Sequence, residues 1–181
     1  MMRTQVRLQV NGVEHELWIR NDRTLLNALH DDVGLPDVRY GCNEGVCGTC
    51  TVLVDGAPTS ACLMYAVQAE GHEITTLHGM ADPTQEMHPL QKRFLEHGGA
   101  QCGFCTPGML LTAKALAERK PDANREEIRY ELVGNLCRCT GYTAIVDAIE
   151  AWMKDDHAED ESPGATGAAS SAGADAVEAG A

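Results

Sequence analysis

The apolar positions of this 181-residue chain change their period near its middle. From Thr4 to Ile19 they alternate: Val6, Leu8 and Val10 share one face, and Val13, Leu17 and Ile19 continue the pattern after Asn11-Gly12. Alternation with a period of two marks a half-buried strand, and Asn-Gly between two such runs is the strongest short-range hairpin signal. Thr24 then opens a short helix with Leu25, Leu26 and Leu29 on one face, and Gly34 ends it. Residues 41–48 form a glycine-rich loop. A strand at residues 51–54, a turn at Asp55-Gly56, a return strand reaching Cys62 and a β-branched run at residues 73–77 complete a small mixed sheet.

After Gly79 the period lengthens to that of a helix. Pro83 and Pro89 bracket a linker, and residues 89–96 start a helix with proline in its first turn. Thr106-Pro107 reads as an N-cap followed by proline at the first helical position. The helix behind it carries Met109, Leu110, Ala113, Leu116 and Ala117 and runs until Pro121. Residues 125–133 make a third helix with Ile128 and Leu132 inward. A fourth begins near Thr143, with Ile145, Ala148, Ile149 and Trp152 at i, i+3, i+4 and i+7. Trp18, Trp152 and the helical methionines fit apolar faces and read as core. The fold class is therefore α+β, a sheet-and-helix unit at residues 1–79 followed by a four-helix, bundle-like unit at residues 80–154. Residues 155–181 are mostly Ala, Gly, Ser and acid, too poor in apolar surface to offset ordering entropy, and are expected to be disordered.

The formal net charge is −13, and seven acids against one lysine from Lys154 onward carry part of it. No basic face exists to recruit nucleic acid or an anionic membrane. No apolar run has the length of a signal peptide or a membrane span, so a cytoplasmic location is expected. There, clustered thiols read as metal ligands rather than disulfides.

Eight cysteines divide into two fours with none left over. Cys42, Cys47, Cys50 and Cys62 read C-x4-C-x2-C with a later fourth, the plant-type ferredoxin spacing for one [2Fe–2S] cluster. Cys102, Cys105, Cys137 and Cys139 join a C-x2-C to a C-x-C across thirty-one residues, and suit a second such cluster. Gly41, Gly45 and Gly48 give the first loop the freedom to wrap an inorganic core. Two one-electron centres in a short chain point to electron transfer. A four-thiolate zinc site at Cys47, Cys50, Cys102 and Cys105 is a competing reading, but it strands the other four thiols. The seven histidines are scattered, and ordinary surface or core roles are expected of them.

Tyr40-Gly41-Cys42, Cys47-Gly48-Thr49-Cys50-Thr51-Val52, His88-Pro89-Leu90-Gln91, the segment from Gln101 to Met109 and the segment from Gly134 to Tyr142 closely resemble the small iron–sulphur subunit of xanthine oxidase-type molybdenum hydroxylases. The similarity runs from about residue 4 to residue 153. It implies a β-grasp ferredoxin-like domain and a four-helix [2Fe–2S] domain. It also implies a large partner subunit holding the molybdopterin cofactor, a medium subunit holding FAD, and a heterotrimer or a dimer of heterotrimers. Electrons would leave molybdenum singly, pass to the helical-domain cluster, then to the ferredoxin-like cluster, then to FAD. By the same resemblance Gln101 and Cys139 lie beside the partner's pterin, Cys139 doubling as an iron ligand. The sequence departs from its relatives at residues 34–38 and in its acidic tail. A free-standing two-cluster ferredoxin or redox sensor is the alternative.

Overall fold

The computed structural model describes residues 2–81 and 87–155. The alternating N-terminal run forms β1 (Arg3–Val10) and β2 (Val13–Arg20), paired antiparallel through a turn in which Asn11 and Gly12 both take positive φ, 53° and 76°. Both central residues at positive φ suit the right-handed twist of a tight hairpin. Further strands are β3 (Thr51–Val54), β4 (Ala57–Ser60) and β5 (Glu73–Thr75). The sheet order is β2-β1-β5-β3-β4, and only β1 and β5 run parallel. Helix α1 (Leu25–Asn27) continues as a π-helical turn, Ala28–Val33, until Gly34 closes it at φ 86°. Thr24 caps it by accepting a hydrogen bond from the Asn27 N–H. Leu25, Leu26, Ala28 and Leu29 bury against Val6, Leu8, Val10, Val52 and Ile74, so one sheet face grasps the helix. This is a β-grasp, ferredoxin-like unit in an α+β fold.

The second core draws on α2 (Pro89–Glu96), α3 (Thr106–Arg119), α4 (Arg125–Glu131) and α5 (Thr143–Asp155). Phe94, Leu90, Met109, Leu110, Ile128, Ile145, Ile149 and Trp152 are its largest contributors. Complete burial of each is worth about 1.5–3 kcal/mol. Helix α3 is covered on both sides, because Leu111 and Ala115 turn away from this core onto Leu53 of the sheet. It therefore lies between the two cores.

Several boundaries differ from expectation. The return strand stops at Ser60, two residues before Cys62, and Leu77 belongs to a 3-10 turn rather than to β5. Cys105, not Thr106, stands at the cap position of α3, and no cap hydrogen bond is made there. The helix ends at Arg119, and α4 gives way to a 3-10 turn, Leu132–Gly134. Helix α5 reaches Asp155. Trp18 is 64% exposed, contrary to its reading as core. It lies on β2 at the edge of the sheet, on the opposite face from Leu17 and Ile19. Pro83 and the acidic tail from residue 156 lie outside the described residues.

Candidate metal centres

The loop before β3 carries Cys42, Cys47 and Cys50, and the turn that follows β4 brings Cys62 to Cys50. The loop's curvature comes from left-handed backbone at Asn43, Gly45 and Gly48. A Cβ at Gly41 would stand 2.7 Å from Cys47 Sγ, so the bare backbone there lets the thiol sit against it. The Cys42 N–H points at Cys47 Sγ (3.4 Å) and the Glu44 N–H at Cys42 Sγ (3.3 Å). That second contact is the main reason the Cys42 thiol is lowered to about 7. Cys50 and Cys62 are both buried, and burial, helped by the Cys62 thiol and opposed by the Cys62 N–H, pushes Cys50 up to about 12.

The second four come from the ends of α3 and α5. Cys102 and Cys139 are exposed and close enough to shift each other's titration in opposite directions. The Phe104 N–H lowers Cys102, whereas its contact with Cys102 raises Cys139. Cys105 is buried against Cys137, and burial pushes it up to about 12. For Cys137 burial acts upward, but the Thr140 hydroxyl (3.2 Å from Sγ) and nearby N–H groups outweigh it and set the thiol lower. The loop carrying Cys137 and Cys139 is braced by Tyr142, whose hydroxyl accepts from the Cys137 N–H (2.9 Å) and donates to the Asn135 carbonyl (3.3 Å). Tyr142 holds φ 69°, a left-handed conformation that a bulky residue keeps only when its surroundings fix it.

All eight thiols are unbridged, and within each four the strongest influence of one thiol on another pairs Cys42 with Cys47, Cys50 with Cys62, Cys102 with Cys139 and Cys105 with Cys137, with weaker influences across the pairs. Among the described residues no three His, Cys, Asp or Glu side chains gather tightly enough for one metal ion. Two facing pairs per site fit a binuclear cluster, which asks for two thiolates on each of two irons. The zinc alternative would draw Cys47, Cys50, Cys102 and Cys105 from four different pairs. The residues therefore fit one [2Fe–2S] cluster at each site, and each bound cluster would supply a one-electron couple.

Three features of the site carry no cysteine signature and escape the sequence reading. Asn135 is buried between the two sites: its Nδ2 donates to the Gly48 carbonyl (3.1 Å) and to Thr51 Oγ1 (3.5 Å), and its Oδ1 accepts from Thr112 Oγ1 (3.0 Å). The Leu136 N–H donates to the Cys47 carbonyl (2.9 Å). Arg39 donates to the Gly103 carbonyl and lies over the Phe104 ring, 5.8 Å from its centroid. Gln101 is exposed, like its neighbour Cys102 and like Cys139.

Comparison with known proteins agrees with this arrangement. Residues 8–76 match the model of the 2Fe-2S iron-sulfur cluster binding domain, and residues 76–150 that of the [2Fe-2S] binding domain. The nicotinate dehydrogenase small FeS subunit of Eubacterium barkeri is 46% identical over 149 residues, covering 82% of this chain and 94% of that one. The aldehyde oxidoreductase of Megalodesulfovibrio gigas is 42% identical over 145 residues, covering 78% of this chain and 16% of that longer protein. Among solved structures, quinoline 2-oxidoreductase from Pseudomonas putida 86 superposes with a TM-score of 0.78 at 44% identity, over 81% of this chain and 90% of that chain.

Proposed function

The chain belongs to the [2Fe–2S] small subunits of the molybdenum hydroxylase family, and from that premise we propose that it relays single electrons from a molybdopterin centre in a large partner subunit to FAD in a medium one. The observation that carries this reading is the presence of two complete thiol quartets, each in facing pairs, joined by a buried polar contact. In this reading Cys102, Cys105, Cys137 and Cys139 hold the cluster that receives the electron, and Cys42, Cys47, Cys50 and Cys62 hold the cluster that passes it on. Gln101 and Cys139 face the pterin. Their exposure, with Phe104 and Leu136 about half exposed near them, suits a surface covered in an assembly. Val46 and Leu63 are equally exposed beside the first quartet and suit the exit side.

We divide the chain for this purpose at residues 79 and 80, after Ile74, the last buried side chain of the first core, and before Met80, the first fully buried one of the second, against which Leu77 already packs. No helix among the described residues is long and apolar enough to cross a membrane, and we assign the complex, a heterotrimer or its dimer, to the cytoplasm. Replacing Cys102 or Cys139 with serine in the assembled enzyme is expected to abolish turnover with an external acceptor and to remove one of two reduced-state EPR signals. Normal turnover in either variant would overturn the relay. A stable, iron-loaded monomer that purifies without any molybdopterin-bearing companion would favour a free-standing ferredoxin instead.

A further inference from the structure

The two thiol quartets meet backbone to backbone. A Cβ at Gly48 would stand 2.3 Å from the Gly134 carbonyl oxygen, and one at Gly108 would stand 2.2 Å from the Gly48 carbonyl oxygen. The Cys47 carbonyl accepts from the Leu136 N–H, and Leu136 is the residue before Cys137. One hydrogen bond thus links a ligand of the first quartet to the peptide that leads into a ligand of the second. Asn135, the residue before Leu136, is only 4% exposed, and its amide is bonded at both ends. It ties the Gly48 carbonyl and Thr51 of the ferredoxin-like unit to Thr112 of α3. A buried amide in this position is costly to disturb, because each lost partner leaves an unsatisfied polar group.

We propose that Asn135 is the positioning residue that fixes the separation of the two cluster loops, and with it the rate of electron exchange between them. The inference rests on the relay reading and deepens it. In the step concerned, one cluster is oxidised by giving up the single electron that reduces the other, and no proton or further reactant is consumed. Tunnelling falls steeply with separation, so a slackened Cys47–Leu136 contact slows exchange even while every thiolate stays in place.

The test uses the full chain reconstituted with iron and sulphide. Asn135→Ala should retain the wild-type iron content and both individual cluster spectra. Its dipolar splitting between the two reduced clusters should shrink, and redistribution of one electron after rapid partial reduction should slow by roughly tenfold or more. Thr112→Val, which removes only the hydroxyl feeding Asn135 Oδ1, should shift both readouts in the same direction by less. An iron-replete Asn135→Ala chain with unchanged splitting and exchange would overturn the proposal, and so would loss of iron from both variants. If Asn135→Ala alone fails to hold iron, Thr112→Val decides: a shift supports the proposal and wild-type behaviour overturns it. A wild-type chain that binds only one cluster would instead sink the relay reading itself.

Discussion

At Gly108 an added methyl group would meet the Gly48 carbonyl oxygen at 2.2 Å, whereas at Gly134 it would meet nothing within 4 Å. Helix propensity alone makes Gly108→Ala favourable by about 1 kcal/mol. The clash is with backbone rather than a mobile side chain, so the loops must separate, and we expect a net loss of about 1–3 kcal/mol. Gly134→Ala should stay within about 0.5 kcal/mol of the wild type. Denaturant unfolding of the iron-loaded proteins checks this, and equal midpoints for the two variants would refute the close approach. The eight cysteines were legible as two quartets because ligand spacing is a local, covalent pattern. The glycine at 108 was not, since what crowds it comes from sixty residues earlier in the chain. His88 shows the same limit. Its ring Nδ1 accepts from the Leu90 N–H, and Gln91 returns a bond to the His88 N–H, so a buried imidazole caps α2 where a serine or aspartate is the usual signal.

Among the elements, α2, α5 and the hairpin followed the hydrophobic period closely, because each buries one face against one core. The short pieces did not. Strand β5 keeps three residues since only those pair with β1 and β3, and α4 tightens into a 3-10 turn to bring Asn135 beneath the cysteine loop. What holds α4 against α5 is also electrostatic. Arg125 bridges Asp147 (2.6 Å) and Glu150 (2.8 Å), and within α5 Lys154 makes a second contact to Glu150 (2.9 Å). Lys154 first, then Arg125, hold the Glu150 carboxyl below the usual glutamate range. A depressed carboxylate contributes stability that is in place above its unfolded value, about 4.3, and disappears as the pH falls through the lower folded value. Arg125→Met should therefore lower the urea midpoint slightly at neutral pH and converge with the wild type below that window. A difference that persisted in acid would mean that Arg125 acts through packing of its stem instead.

On the scale of the whole molecule, two units of about 75 residues each bury only about 60% of their unfolded surface, which leaves little margin. The apolar joint between them is small: Leu53, Leu111 and Ala115. Cluster ligation is folding energy for such units. Chelating the iron is expected to lower the melting temperature by about 10 °C or more and to broaden the transition, followed by far-UV circular dichroism. An iron-free chain melting where the loaded one does would show that the two cores stand alone. The amino-acid order by itself determined the α+β class, the change from strand to helix after Gly79, and the grouping of eight cysteines into two fours, since periodicity and cysteine spacing are written within short windows. Only the tertiary structure decided which thiols face each other, that α3 is buried on both sides, and that Asn135 spans the gap between the centres. Those are long-range packing outcomes, and no local pattern encodes a contact between residues 48 and 135.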